Sequence, residues 1–383
     1  MTLDQAAAGN GEAGIRVVPV ALGARAYDIM IGPDLLPLTA KFAAAVAPGA
    51  RAVIVTDDVV ARHHLDAIEK GFRQHGELME SIVLPAGEAT KSFDELGKLS
   101  SRLLELGVER GDIVIAFGGG VIGDLAAFAA SILRRGVRLV QVPTTLLAQV
   151  DSAIGGKTGI NTEHGKNLIG SFHQPSLVIA DTGLLATLPE RQLRAGYAEV
   201  VKYGLIGDPE FFGWLEQNWQ RLFAGESQAL GHAIEMSCRA KAAIVEQDER
   251  ESDRRALLNL GHTFAHALEI WSGYSDRLLH GEAVAIGMAL AFEFSEQLGH
   301  CGPQDRERVM AHLSEVGLPV AISEIPGEPP DAATLLRHKA QDKKVSGGKP
   351  ALILVQGIGR AFIERSVPMD QLETFLQRKC EDR

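Results

Sequence analysis

Short apolar runs alternate with longer amphipathic stretches through the first half of the chain. The runs Arg16–Ala21, Ala52–Thr56, Ser81–Leu84, Ile113–Phe117, Arg138–Val142 and Leu177–Ala180 are candidate strands. Several are nearly continuous in apolar residues, the pattern of strands covered on both faces of a parallel sheet. Between them, Val59–Gly71 and Phe93–Leu106 repeat their apolar positions at the helical period. That alternation predicts an α/β domain. From Leu184 the helical period takes over, in Glu190–Tyr203, Glu210–Phe223, Ser227–Glu246, Asp253–Trp271 and Gly281–Leu298. Turn signals such as Gly207-Asp208-Pro209 and Gly302-Pro303 separate some of these helices. Near the end, Ala351–Gln356 and Ala361–Arg365 flank Gly357-Ile358-Gly359 and predict a small hairpin. The expected organisation is a disordered tail over 1–14, an α/β domain over 15–181, and a mainly α-helical domain over 182–383.

Composition narrows the partners. A chain of 383 residues can bury a sizeable core. A net charge of −11 sets up a field that repels polyanions, which argues against a nucleic-acid or acidic-membrane partner. A phosphate-bearing small molecule stays open, because Arg134-Arg135, Lys157, Lys166 and Lys343-Lys344 can make a pocket locally basic. The three cysteines are far apart and form no CxxC pair, so a disulfide framework is not expected and a reducing cytoplasm fits. No apolar run approaches the roughly 20 residues that span a bilayer.

Two glycine-rich segments bear on chemistry. Gly118-Gly119-Gly120-Val121-Ile122-Gly123-Asp124 follows a strand and opens a helix, which lets backbone amides approach a pyrophosphate at a helix N-terminus. A tight strand–helix turn explains the same glycines, and the spacing is not GxGxxG at the first strand. Asp57, closing the second strand, suits either a ribose hydroxyl or a helix N-cap. Gly87-Glu88 and Lys91 follow the third strand, where ligands gather in such sheets. Asp151 through Asn161 and Gly165-Lys166-Asn167 combine glycines, lysines and amides as phosphate recognition does; a solvated loop is the plainer reading. Downstream, Glu199, His262, His266 and His280 offer a hard oxygen and several imidazole nitrogens, the ligand set of a catalytic zinc with an open position. His262 and His266 stand four apart on one predicted helix face, so spacing alone makes both of them ligands.

Taken in order, these segments resemble the 3-dehydroquinate synthase family of sugar-phosphate cyclases. The stretches that carry the resemblance are Gly118–Asp124, Gln141–Asp151, Gly155–Thr158, Gly165–Asn167, Ala198–Gly204, Leu258–His262, Leu279–Val284 and Asp342–Lys344, and they cover nearly the whole chain after the tail. The resemblance implies a cytoplasmic homodimer that uses NAD and one divalent metal, zinc or cobalt. It implies conversion of 3-deoxy-D-arabino-heptulosonate 7-phosphate into 3-dehydroquinate and phosphate, a step of the shikimate pathway, by NAD-linked transient oxidation, phosphate elimination, reduction, ring opening and intramolecular aldol closure. The alternatives are another sugar-phosphate cyclase or a metal-dependent NAD polyol dehydrogenase. By this match Glu199, His262 and His280 are the metal ligands and His266 becomes a substrate contact. Asp151, Lys157, Asn167, Lys202, Lys241, Glu251, Arg255 and Asn259 line the substrate pocket, Lys343 or Lys344 closes over it, and Arg135 reaches the phosphate held by the neighbouring subunit. NAD contacts fall on Asp57, Gly87, Glu88, Lys91, Gly120, Val121, Ile122, Gly123, Asp124, Thr144, Thr145, Lys157, Lys166, Leu184, Leu185, Ala186 and Thr187. Ala265 stands where the family usually has glycine, and Trp271–Leu279 is slightly long for the family.

Overall fold

Each of the six apolar runs lies in one seven-stranded sheet. The computed structural model describes residues 14–251, 253–341 and 352–382, so tail positions 1–13 and both Lys343 and Lys344 fall outside the described residues. The elements in order are β1 (Arg16–Val20), β2 (Tyr27–Gly32), α1 (Thr39–Val46), β3 (Arg51–Asp57), α2 (Asp58–His75), β4 (Glu77–Leu84), α3 (Phe93–Glu105), β5 (Ile113–Gly118), α4 (Gly120–Ile132) and β6 (Arg138–Pro143). A hairpin of β7 (Lys157–Thr162) and β8 (Gly165–Phe172) and then β9 (Leu177–Asp181) complete the strands of this part. Spatially the sheet runs β4-β3-β5-β6-β9-β2-β1, parallel throughout except for the β1–β2 pair. Its central strands are buried on both faces: Ile54, Ile115 and Val140 point to one cluster, Val53, Val114 and Leu139 to another.

Strand order reverses between β3 and β5. From β3 the chain moves outward to β4, whereas from β5 it moves the other way to β6. Carboxyl ends beside such a reversal form a crevice where open α/β sheets bind ligands. Asp57 closes β3, and Gly118 closes β5 with Gly119-Gly120 following, so both border this point.

The chain folds as two compact units, and their division departs from the expected break at 181. One unit takes residues up to 189 together with 221–250; the other takes 190–220 and 251–383. After α5 (Glu190–Gly207) and α6 (Pro209–Phe223) comes α7 (Ser227–Gln247), which returns to the sheet unit and packs on β1 and β2. Sequence order alone does not reveal that return, because the periodicity of a helix does not say which face it covers.

The second unit centres on α9 (His280–Gln297). Val284, Ile286, Met288, Phe292 and Phe294 are all buried, and so is every position from Ala283 to Phe292, nearly three turns of the helix. A helix apolar all round must be enclosed by others, here by α5, α8 (His262–Trp271) and α10 (Pro303–Val316). The expected single helix Asp253–Trp271 is interrupted: Arg254–Asn259 is a 3-10 turn, and Gly261 adopts a left-handed φ of 81° before α8 starts. A Cβ at Gly261 would meet Val284 O at 2.9 Å, so glycine is needed for space as well as for conformation. Then α11 (Ala332–Gln341), the hairpin β10 (Leu352–Val355) and β11 (Ala361–Glu364), paired antiparallel as expected, and α12 (Met369–Glu381) follow.

Candidate metal centre and nucleotide site

Three segments far apart in sequence bring their donors to one point in the helical unit. Glu199 lies in the buried middle of α5, His262 opens α8 and His280 opens α9. One ligand atom from each lies within 4.8 Å of the others, and among the described residues this is the group of histidine, cysteine and carboxylate side chains that converges so. Nε2 of His262 is 3.5 Å from Glu199 Oε1, and Nε2 of His280 is 3.4 Å from the same oxygen. His266 packs its ring edge-on against His262 at 5.6 Å between centroids, but its nitrogens are not in the convergent group.

The remaining nitrogens orient these rings. His262 Nδ1 faces the Leu260 carbonyl at 3.3 Å, which assigns the proton to Nδ1 and the lone pair to Nε2. His280 Nδ1 lies 3.2 Å from Glu269 Oε2, and Glu269 is itself buried. This is the carboxylate–histidine arrangement that fixes ring orientation and raises ligand basicity. Sequence reasoning missed Glu269. Its signal was a carboxylate seven residues after His262, on the same buried helix face.

Electrostatics separate the two histidines. Burial, then the Lys202 charge, lowers the His262 pKa to about 3 against the pull of Glu199. For His280 burial also acts downward, but the carboxylates of Glu269 and Glu199 outweigh it and raise the pKa to about 10. Lys202 is buried with its ammonium against Glu199 Oε2 one helical turn away. The donor set, one carboxylate oxygen and two imidazoles, fits a zinc-type catalytic ion with room for a further ligand. In the same unit Arg255 is buried, and Asn259 Nδ2 donates to Glu251 Oε1 at 3.2 Å. Glu251 holds a positive φ of 59°.

The sheet unit carries the second site. Gly119 occupies the N-cap of α4 and has no side chain to cap the helix, leaving that end's amides for another acceptor. A Cβ at Gly119 would stand 3.1 Å from Thr145, and one at Gly120 3.2 Å from Ser152 Oγ. The cradle thus fits a pyrophosphate at the strand reversal. Lys91 Nζ meets Asp124 Oδ2 at 2.5 Å, and burial, outweighing Lys91, raises the Asp124 pKa. Glu88 Oε1 accepts from Asn161 Nδ2 at 2.7 Å and lies 4.0 Å from Lys166. Asp57 Oδ1 accepts from the amides of Val59 and Val60, both at 2.9 Å, so the helix-capping reading of this residue is realised. Leu184–Thr187 form the end of a 3-10 turn, with Thr187 Oγ1 2.8 Å from His64 Nε2.

The glycine-rich segment is a hairpin rather than a solvated loop, and a π-helical turn over Ala148–Ser152 precedes it. Such turns recur at functional sites, and this one presents Asp151 to Lys241. Lys241 Nζ donates to the Asp151 carbonyl at 2.6 Å and to its Oδ1 at 2.7 Å, a pair 90 residues apart. Lys157 starts β7 and Asn167 lies on β8 with a positive φ of 57°. Arg135 sits in an exposed turn, at φ 65°, after α4. Three of the six described non-glycine residues at positive φ are thus candidate site residues, as expected where strained backbone is retained for function.

The architecture and paired sites define the class, a sugar-phosphate cyclase fold. The 2-epi-5-epi-valiolone synthase of Streptomyces hygroscopicus subsp. jinggangensis, solved with NAD+ and Zn2+ bound, superposes with a TM-score of 0.84 at 31% identity, over 93% of this chain and 97% of that one. A 2-deoxy-scyllo-inosose synthase, complexed with carbaglucose-6-phosphate, NAD+ and Co2+, gives 0.84 at 24% identity, over 95% and 100%, and shows the shared fold. Residues 81–195 match the 3-dehydroquinate synthase N-terminal family and residues 196–345 the 3-dehydroquinate synthase C-terminal family. The 3-dehydroquinate synthases of Rhizobium johnstonii and of a Ruegeria species are each 56% identical, over 95% and 94% of this chain and 97% of each relative. The chain belongs to the 3-dehydroquinate synthase family.

Proposed function

We propose that the chain carries out its family's reaction with the residues of these two sites. It is a lyase that converts 3-deoxy-D-arabino-heptulosonate 7-phosphate into 3-dehydroquinate and inorganic phosphate, using NAD and one divalent metal. When bound, NAD would supply a reversible hydride acceptor, and the metal, zinc or cobalt, would supply a Lewis acid that lowers the pKa of the hydroxyl to be oxidised. The observation that carries the reading is the convergence of Glu199, His262 and His280 within 4.8 Å.

The chain's own residues divide the remaining work. Glu199, His262 and His280 would hold the ion, and Lys202 compensates the buried carboxylate's charge. His266, Arg255, Asn259 and Glu251 orient the substrate's hydroxyls and carboxylate, as do Asp151 and Lys241. Oxidation of one carbon acidifies the neighbouring C–H, whose proton passes to the phosphate as it leaves from the next carbon; once the hydride has been returned, the ring opens and an intramolecular aldol step closes the carbocycle. Lys157, Asn167, Arg135 and Lys343 or Lys344 stabilise its charge. NAD is held by the Gly120–Asp124 turn, Asp57, Gly87-Glu88, Lys91, Thr144-Thr145, Lys166 and Leu184–Thr187.

A homodimer with a shared active site fits the surface around Arg135. Ile132 is exposed at 48% at the end of α4, and a Ser171–Ser131 hydrogen bond of 2.7 Å ties that end to β8, whose Leu168 and Phe172 are exposed at 60% and 46%. No helix is long and apolar enough to cross a membrane among the described residues, and a cytoplasmic location agrees with the unpaired cysteines.

Phosphate release from the heptulosonate tests the reading. It should require NAD and a metal, and no NADH absorbance should build up, because the hydride returns. Stoichiometric NADH alongside product would instead identify a polyol dehydrogenase.

A further inference from the structure

One face of α5 docks residue by residue on the start of α9. Arg191, Ala195 and Glu199 are spaced four apart and so stand in a row on the helix. They meet three consecutive residues in reverse order. Arg191 Nε and Nη2 reach Glu282 Oε1 and Oε2 at 2.6 and 2.7 Å. The carbonyl of Ala195 lies against Gly281, where a Cβ would come within 1.8 Å of it. Glu199 Oε1 is 3.4 Å from His280 Nε2.

From these contacts we infer that Arg191 is a positioning residue of the metal centre. It sets the register of α9 on α5 and thereby where His280 meets Glu199. The inference rests on the reading that Glu199, His262 and His280 hold the metal.

Arg191 does more than pair with one carboxylate. Its Nη1 donates to the Asp276 carbonyl at 2.7 Å and its Nη2 to that of Arg277 at 3.4 Å, so the guanidinium also grips the loop leading to His280. Glu282 in turn accepts from the Leu279 amide at 2.8 Å, one residue before the ligand. The fork is thus connected to the chain on both sides of His280. An exposed single ion pair contributes little, but a two-pronged guanidinium–carboxylate contact fixes orientation as well as distance. Lysine, a point charge on a flexible stem, cannot reproduce it.

Cobalt(II) added to the metal-free full-length chain reads this directly, by competition with a chelator and by its visible absorption. Arg191→Met should weaken Co2+ binding by roughly 10- to 100-fold, the range found when groups supporting metal ligands are removed. It should also alter the visible band, because His280 is displaced, and Arg191→Lys should recover only part of the affinity. Glu282→Gln, which weakens the same fork from the other side, carries the test if Arg191→Met does not fold. Wild-type affinity with a wild-type spectrum in the folded variant overturns the inference. A wild-type chain that binds Co2+ no better than Glu199→Ala would overturn the metal reading itself, a distinct result.

Discussion

Gly281→Ala is the smallest perturbation that should empty the metal centre. The added Cβ would stand 1.8 Å from the Ala195 carbonyl oxygen and 2.4 Å from its carbon. The first figure is about 1.6 Å short of the 3.4 Å at which ordinary contact begins. Both atoms are backbone of the buried Ala195 on α5, so they cannot swing aside as a side chain would, and α9 must back away from α5. His280 is the preceding residue and moves with it. Metal–ligand distances tolerate about ±0.2 Å, so a shift of this size removes one of three ligands. Overpacking of this kind costs about 1–3 kcal/mol in stability, which a folded domain can survive, whereas misplacement by about 1 Å costs some 100-fold in rate. The purified variant should therefore melt cooperatively, contain little metal by elemental analysis and lose at least about 100-fold in kcat. Gly207→Ala at the far end of α5, where nothing lies within 4 Å, is the control and should leave both quantities unchanged. A Gly281→Ala chain with stoichiometric metal and wild-type turnover would refute the packing argument.

Further outcomes follow from the same geometry. His262→Ala and His280→Ala should purify metal-poor, while His266→Ala keeps its metal and turns over slowly; a metal-free His266→Ala with a metal-replete His280→Ala would restore the ligand pair suggested by helical spacing. Glu269→Gln should weaken metal binding by roughly 10-fold or more without removing a ligand, measured by chelator competition. Inactive Arg135→Ala and Lys157→Ala chains, mixed and confirmed as heterodimers, should recover activity if the site is shared; no recovery counts against sharing. Buried His312, whose Nε2 meets the Tyr197 hydroxyl at 3.0 Å, has its pKa lowered from 6.5 to about 4 by burial, against the pull of Glu216. The unfolded chain then binds more protons between those values, so this contribution is complete above pH 6.5 and is lost as pH falls towards 4. Relative to His312→Gln, the wild type should lose about 2 kcal/mol of unfolding free energy between pH 7 and pH 5, and a constant difference would disprove it.

Much of this molecule is legible in its sequence. Runs such as Ile113–Phe117 and Leu177–Ala180 specify buried parallel strands, because only a strand covered on both faces needs apolar residues at every position. The glycines after β5 mark a backbone that must come close to something, and the carboxylate and histidines supply a recognisable donor set. Strand β2 escaped detection because Asp28 interrupts a run only six residues long, and its place beside β9 depends on partners distant in sequence. Tertiary structure alone decided the rest. Helical spacing treats His262 and His266 alike, and only the docking of α9 on α5 brings His280 to Glu199 and leaves His266 outside. Asp151 finds Lys241 across 90 residues, Glu269 finds His280 through the fold of the loop between them, and α7 returns to the sheet unit. Periodicity encodes which face of an element is apolar, but the choice of partner depends on close packing, and that is settled only when all the elements are assembled.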